Sequence, residues 1–370
     1  MKLMSSLMAM NVIARPFVNV LAKNSLLSGY SPQQMQAAYN VDTLIKQGYD
    51  GSRTTIVIVD AYGSSSITND VNYFDSYFGL PQIELNIHYP EGKVNTKNEE
   101  WAKETTLDVE WVHSIAPGAT IDLVVVKSPS FNDLYAGLQY AVMNLKESTN
   151  VVSISMSFGV AESQTSTNTL SQWDSLFSTA IAYGITPIAA SGDKGAYDGT
   201  SSLTVNFPAS DPNVLSVGGS TLKITNNAWN GETTWSGSGG GSSSYFSEPS
   251  FQKSVSLITN NHRGVPDVAY DANPNTGGSI YYSGSWYVSG GTSMGVPQWA
   301  GLIAIASQIK GHGLGLIQNR IYSLASGSNY SQYFHDIVSG PSNGYYSAEQ
   351  GWDYVTGWGT PIASNLVPKL

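Results

Sequence analysis

The sequence predicts an α/β fold, with a mostly parallel central sheet flanked by helices in a single domain. Three observations predict it. Short apolar runs rich in β-branched residues recur along the chain, as strands buried on both faces require. Segments with helical spacing lie between them, so strand and helix alternate. The one stretch that resembles a linker, 236–244 (SGSGGGSSS), has strand-like segments on both sides and no composition shift across it. It therefore reads as a tight surface loop within one domain.

Taken in order, residues 1–28 form an N-terminal extension. It is basic, has no acidic residue, and its apolar run is short and broken by Ser and Asn. This reads as a signal or propeptide remnant, with the folded domain spanning 29–370. Strands are expected at 54–60 (TTIVIVD), 121–126 (IDLVVV), 151–157 (VVSISMS), 185–190 (ITPIAA) and 214–217. Helices are expected at 132–145, opened by Asn132, and at 170–183, stopped by Gly184. In such a sheet, a site forms at the carboxyl ends of the strands.

Composition narrows the function. The formal charge of −10 at pH 7 argues against nucleic acid, whose phosphates need a basic surface. No run reaches the roughly 18 apolar residues of a membrane span. With no cysteine, disulfides, thiol nucleophiles and thiolate metal sites are excluded. Charged residues make up 12% of the chain, about half the usual share. With every carboxylate protonated the charge would reach at most +22, from 17 Lys and Arg and 5 His. A chain so poor in charge suffers little self-repulsion in acid, which suits an acidic environment.

The strongest chemical signal is 290–297 (GGTSMGVP), in which Ser293 opens an apolar, small-residue helix running to about Ile309. A Ser there can cap the helix. It can also be a nucleophile, with the helix N-terminus favouring developing negative charge and the glycines letting a substrate backbone approach. The motif points to a subtilisin-like fold. A Ser nucleophile needs a base, usually His. None of the five histidines has a suitable context: His88, His262, His312 and His335 lie in polar, loop-like surroundings, and His113 follows the helix carrying Glu104.

The alternative base lies in Glu104 and Asp108, which share a helix face at i and i+4. Such a pair can be a solvated acidic face. Trp101, Leu107, Trp111 and Val112 argue instead for a partly buried helix. Two close carboxylates share a proton, so one stays ionised at acid pH, where His would already be protonated. Asp193, in Ser191-Gly192-Asp193-Lys194-Gly195 at a strand end, can be a plain turn residue. Protonated, it could donate to an oxyanion.

The order Glu-x-x-x-Asp, Ser-Gly-Asp-x-Gly, Gly-Thr-Ser-x-x-x-Pro resembles that of the sedolisins, the serine-carboxyl peptidases. Supporting segments are 30–41 (YSPQQMQAAYNV), 115–121, 207–219 and 263–278, and the resemblance runs from about Tyr30 to the C-terminus. It implies Ser293 as nucleophile, Glu104 as general base, Asp108 as its orienting partner, Asp193 as the oxyanion residue, and Asp60 extending the hydrogen-bond network. It also implies one structural Ca²⁺ held by the Asp336 and Asp353 side chains and the Ile337, Glu349 and Gly351 carbonyls. Here the chain departs from the family, which usually has Gly where Glu349 stands and a slightly longer run from Asp336 to Asp353.

The implied activity is acid-acting endopeptidase cleavage of proteins or peptides, in an extracellular or other acidic compartment, by a monomer. Relatives are generally made with a long prodomain, so the chain's own prodomain is a possible partner. Tripeptidyl-peptidase action and a non-catalytic calcium-bound binding module on the same fold are the alternatives.

Overall fold

The computed structural model describes residues 12–24, 29–145 and 149–370. An eight-stranded sheet forms its centre, built from β1 (Thr55–Ala61), β2 (Glu84–His88), β3 (Thr120–Val126), β4 (Val151–Met156), β5 (Thr186–Ala190), β6 (Leu215–Thr225), β7 (Ala228–Thr234) and β8 (Val268–Asp271). Their order is β7-β6-β5-β4-β1-β3-β2, with β8 also paired to β6. Every pairing is parallel except the β6–β7 hairpin.

Alternation along the strands feeds two cores. Ile56 and Ile58 of β1 and Ile121, Leu123 and Val125 of β3 face one, together with α1 (Glu99–Ile115) and α4 (Gly295–Lys310). Val57, Val59, Val124 and Val126 face the other, with α2 (Phe131–Tyr140) and α3 (Thr167–Ala182). Both faces of the sheet are thus covered, which is why its strands read as unbroken apolar runs.

The helices start slightly earlier than the sequence suggests, because serines cap them. Ser130 accepts from the Asp133 amide and Ser166 from the Thr169 amide. Beyond Tyr140 the predicted helix continues as one π-type turn, Ala141–Leu145. Helix α1 opens with an Asn98 cap and two first-turn glutamates, both favourable at the positive end of the dipole. Every side chain from position 104 to 115 is buried, so α1 is a core helix rather than the partly buried one expected.

One further expectation is corrected. Residues 236–244 are not a surface loop, since positions 238–241 are buried. A Cβ on Gly239 would lie 2.1 Å from the Ser191 carbonyl oxygen, and one on Gly240 1.9 Å from that of Tyr354. The glycines there serve close packing, not flexibility. The described part of the N-terminal extension, expected as a signal or propeptide remnant, is paired with the domain. Arg15 and Pro16 pair antiparallel with Gly159 and Phe158, and Asn19–Asn24 pairs antiparallel with the strand Ser285–Gly290. The remainder of 1–28 is outside the described residues except Asn24 and the residues before it to position 12. Among the described residues, no helix is long and apolar enough to cross a membrane.

Candidate active site

Three neighbouring strands of the sheet deliver side chains to one place at their carboxyl ends. Asp60 is the penultimate residue of β1, Ser157 follows β4, and Asp193 lies three residues past β5. Asp60 shares the strand face of Ile56 and Ile58, toward α1, which supplies Glu104 and Asp108. Ser293 sits in the 3-10 turn Thr292–Met294 that leads into α4, which begins at Gly295, slightly after the expected start. Asp60, Glu104, Asp108 and Ser293 are all fully buried.

The hydrogen bonds define a resting arrangement. Ser293 Oγ donates to the Ser157 carbonyl at 3.3 Å. Ser157 Oγ donates to Asp108 Oδ1 at 2.7 Å. Asp193 Oδ1 accepts from the Thr292 amide at 2.7 Å and from Thr292 Oγ1 at 2.8 Å, which fixes its carboxyl beside the nucleophile's turn. Both Glu104 oxygens, both Asp60 oxygens and Asp108 Oδ2 are buried without a hydrogen bond of good geometry. The Ser293 hydroxyl is near enough to Glu104 to affect its proton affinity.

No basic side chain forms an ion pair with this carboxylate group among the described residues, and its proton affinities rise accordingly. Burial, then the charges of Asp108 and Asp60, push Glu104 well above the usual carboxylate range. Burial and then Asp60 push Asp108 up, with the Ser157 hydroxyl pulling it back. Burial raises Asp60 to about 7, against a small opposing pull from Thr105. Asp193, partly open to the cleft but enclosed by protein, is raised by burial to about 7, with the Thr292 donors and Arg15 opposing. Burial and mutual repulsion thus favour the protonated forms of Glu104, Asp108 and Asp60, which titrate as a coupled group, and Asp193 is neutral in acid.

The histidines take no part. His113 lies within α1, not after it, and is buried with Nε2 2.8 Å from the Pro81 carbonyl and 3.5 Å from Asp75. His88 ends β2 beside Asp122, and His335 stacks on Trp229 with 4.0 Å between ring centroids. These two are therefore strand residues with partners, not the loop residues expected; His262 likewise begins a strand.

Sequence reasoning missed the occupant of the cleft. The Phe17 amide donates to the Ser157 carbonyl at 3.2 Å, the same oxygen that Ser293 Oγ contacts. The Phe17 carbonyl oxygen and Asp193 Oδ2 both press on Gly291, where a Cβ would meet them at 1.9 and 2.5 Å. Gly291 has φ +98°, so glycine is required there twice over. The Asn19 side-chain Nδ2 donates to Asp193 Oδ2. Residues 12–24 thus cross the site as an extended peptide, with the Phe17 carbonyl oxygen and Asp193 Oδ2 both against Gly291, two residues before Ser293. Nothing in their composition signals this. Ser157 was the more legible miss, since it closes a predicted strand at the site's edge.

The loop implied to bind metal is brought together. Tyr330 Oη donates to Asp336 Oδ1 at 3.2 Å, and the Gly351 amide donates to both Asp336 oxygens at 3.1 Å. The Glu349 amide donates to Asp353 Oδ2 at 3.1 Å, and the Val355 and Thr356 amides donate to Oδ1 at 2.7 and 2.8 Å. Ile337 is buried directly after Asp336. Burial raises Asp336, and raises Asp353 to about 6, with no side-chain cation paired to either among the described residues. Glu349 is exposed and has no left-handed φ, so the missing glycine costs the backbone nothing. An all-oxygen donor set of this kind fits Ca²⁺.

A buried serine beside carboxylates lies at the strand ends of a mostly parallel sheet, the arrangement of a subtilisin-like fold. Residues 94–359 match the subtilase family. Sedolisin from Pseudomonas sp. (strain 101) is 33% identical over 90% of this chain and 60% of its own length. Kumamolisin from Bacillus sp. (strain MN-32) is 31% identical over 93% of this chain and 64% of its own. The chain thus spans about three fifths of the length of these relatives. The solved structure of Pseudomonas sedolisin complexed with two molecules of pseudo-iodotyrostatin superposes with a TM-score of 0.83 at 31% identity, covering 93% of this chain and 98% of that one. Sphericase, 19% identical with a TM-score of 0.58, shares the fold. The chain belongs to the subtilase family, in its sedolisin (serine-carboxyl peptidase) branch.

Proposed function

We propose that the protein is an acid-acting serine-carboxyl endopeptidase. The observation that carries this reading is Ser293 set among the buried carboxylates Asp60, Glu104 and Asp108, with no histidine in contact and an extended peptide laid across it. Ser293 Oγ attacks the substrate carbonyl while Glu104 accepts its proton. Asp108, held by Ser157, positions Glu104 and shares its proton with Asp60. Neutral Asp193 donates to the oxyanion. Glu104 then protonates the leaving amine, and water, deprotonated by Glu104, hydrolyses the acyl-enzyme.

The low-pH requirement follows from two opposite demands. Asp193 must carry a proton to donate, and the Glu104 group must keep one carboxylate ionised. Asp193 loses its proton near pH 7, so activity falls as pH rises through that range. An acidic surrounding, extracellular or compartmental, is the setting in which such a site works.

The first substrate is in place. On this reading the N-terminal segment is a propeptide-like occupant, and the Phe17–Val18 bond is cut within the same chain. The segment also favours endopeptidase over tripeptidyl-peptidase action. Residues 12–17 all lie on the acyl side, with Ala14 donating to the Pro129 carbonyl at 2.8 Å and Phe131 to that of Val12 at 2.9 Å. A tripeptidyl-peptidase would need that side closed after three residues. Asp336, Asp353 and the loop carbonyls of Ile337, Glu349 and Gly351 would hold one Ca²⁺, which would neutralise two neighbouring carboxylates and brace the C-terminal loop.

Intact-mass measurement after incubation in acid tests the reading. The expected result is loss of residues 1–17 from the parent and an unchanged mass for Ser293→Ala. An unchanged mass for both, together with no cleavage of an added protein, would remove the peptidase reading and favour a binding module.

A further inference from the structure

Arg15 reaches sideways out of the cleft to Asp198. Its guanidinium pairs with Asp198 Oδ1 and lies 3.4 Å from the Asp198 carbonyl. Asp198 sits just beyond the short turn Gly195–Tyr197, five positions after Asp193, in a left-handed conformation (φ 47°). Its side chain is completely enclosed.

Among the described residues, Arg15 is the side chain that forms an ion pair with this carboxylate. The Asn206 side-chain amide, which donates to the Ser191 carbonyl at 3.1 Å, also favours the ionised Asp198, ahead of the charge of Arg15, while burial opposes both. Oδ2 has no hydrogen bond of good geometry. Lys194 acts on Asp198 without forming an ion pair. A buried carboxylate stripped of its cation is costly. If the segment carrying Arg15 leaves after the Phe17–Val18 cut, Asp198 either takes up a proton or receives another cation.

The position of Arg15 in the cleft is defined by the backbone. Arg15 is in register with Gly159, and the Phe17 amide bonds to the Ser157 carbonyl. Arg15 is therefore two residues before Phe17, whose amide shares the Ser157 carbonyl with Ser293 Oγ. Its guanidinium carbon also lies 5.5 Å from the centre of the Phe17 ring, and that ring packs against Gly159. Cation and aromatic ring stabilise one another as well as meeting their separate walls.

We infer that Asp198 forms a substrate subsite for a cationic side chain, Arg or Lys, two residues before the residue that Ser293 attacks. This rests on the peptidase reading above. The subsite selects substrates of the pattern cation–any residue–apolar, with the cut after the apolar residue, and Arg15-Pro16-Phe17 is its built-in example.

The test compares two peptides, Ala-Arg-Pro-Phe-Val-Asn and Ala-Gln-Pro-Phe-Val-Asn, as substrates of the processed enzyme at about pH 5. The expected kcat/KM ratio favours the Arg peptide by about tenfold or more, the usual worth of a charge-assisted hydrogen bond. In Asp198→Asn the ratio falls toward one. A parent ratio near one would overturn the subsite without using the variant. A ratio retained in Asp198→Asn would assign the preference elsewhere and overturn it too. Failure of the parent to cut either peptide or an unfolded protein would remove the peptidase reading, and the subsite with it.

Discussion

Asp193 offers a quantitative check on the electrostatics. Its pKa is raised from 3.8 to about 7, chiefly by burial. Below pH 4 the group is protonated in both folded and unfolded chains and has no effect on stability relative to its neutral form. Between pH 4 and 7 the unfolded chain releases the proton while the native one keeps it, so stability falls as pH rises. One proton corresponds to about 1.4 kcal/mol per pH unit, and three units to as much as about 4 kcal/mol, reduced by solvent at its partly open edge. The perturbation is Asp193→Asn, made in a Ser293→Ala background to prevent self-digestion. Unfolding by urea at pH 4, 5, 6 and 7 should show stability falling with pH in the background protein, as Asp60 and Asp193 both demand. The added substitution should make that fall shallower by about 1 kcal/mol per pH unit. Identical slopes, or a steeper fall in the Asn variant, would refute the assignment of a neutral, buried Asp193.

Three further outcomes are expected. Glu104→Gln should lower kcat on a protein substrate by a factor of about 10³ or more, with the fold retained in circular dichroism, because the general base is lost while no buried charge is added. Ser157→Ala removes the only hydrogen bond that holds Asp108 down, so the acid limb of the kcat/KM profile should move to higher pH. A calcium chelator should lower the melting temperature of the parent, and Asp353→Asn should abolish that response while lowering the melting temperature itself; an equal response in both would remove the proposed ion from this loop.

The reach of the sequence can be judged from particular residues. The sheet was legible because strands such as 54–60 are buried on both faces and so carry no polar alternation. The site was legible because Glu104 and Asp108 are fixed by helical spacing and Ser293 by a glycine-flanked helix start. The depth of α1 was underestimated, since Glu110 and His113 look like surface residues yet are buried between the sheet and its neighbours. The buried glycines at 239 and 240 were misread for a similar reason: glycine marks a loose loop and a close contact equally well. The cleft-crossing segment was illegible because its pairing partners, near 158 and 289, are remote in sequence, and its own residues show no strand periodicity. Asp198 followed from that segment alone.

The central claim is that a carboxylate group, not a histidine, activates Ser293. The most direct measurement is cleavage of an unfolded protein at about pH 3–4 and about pH 7–8, by the parent and by Ser293→Ala. Cleavage confined to the acid range and abolished by the substitution is the predicted result. Cleavage strongest at neutral pH would contradict the account, because Asp193 would by then be ionised and could not donate to the oxyanion.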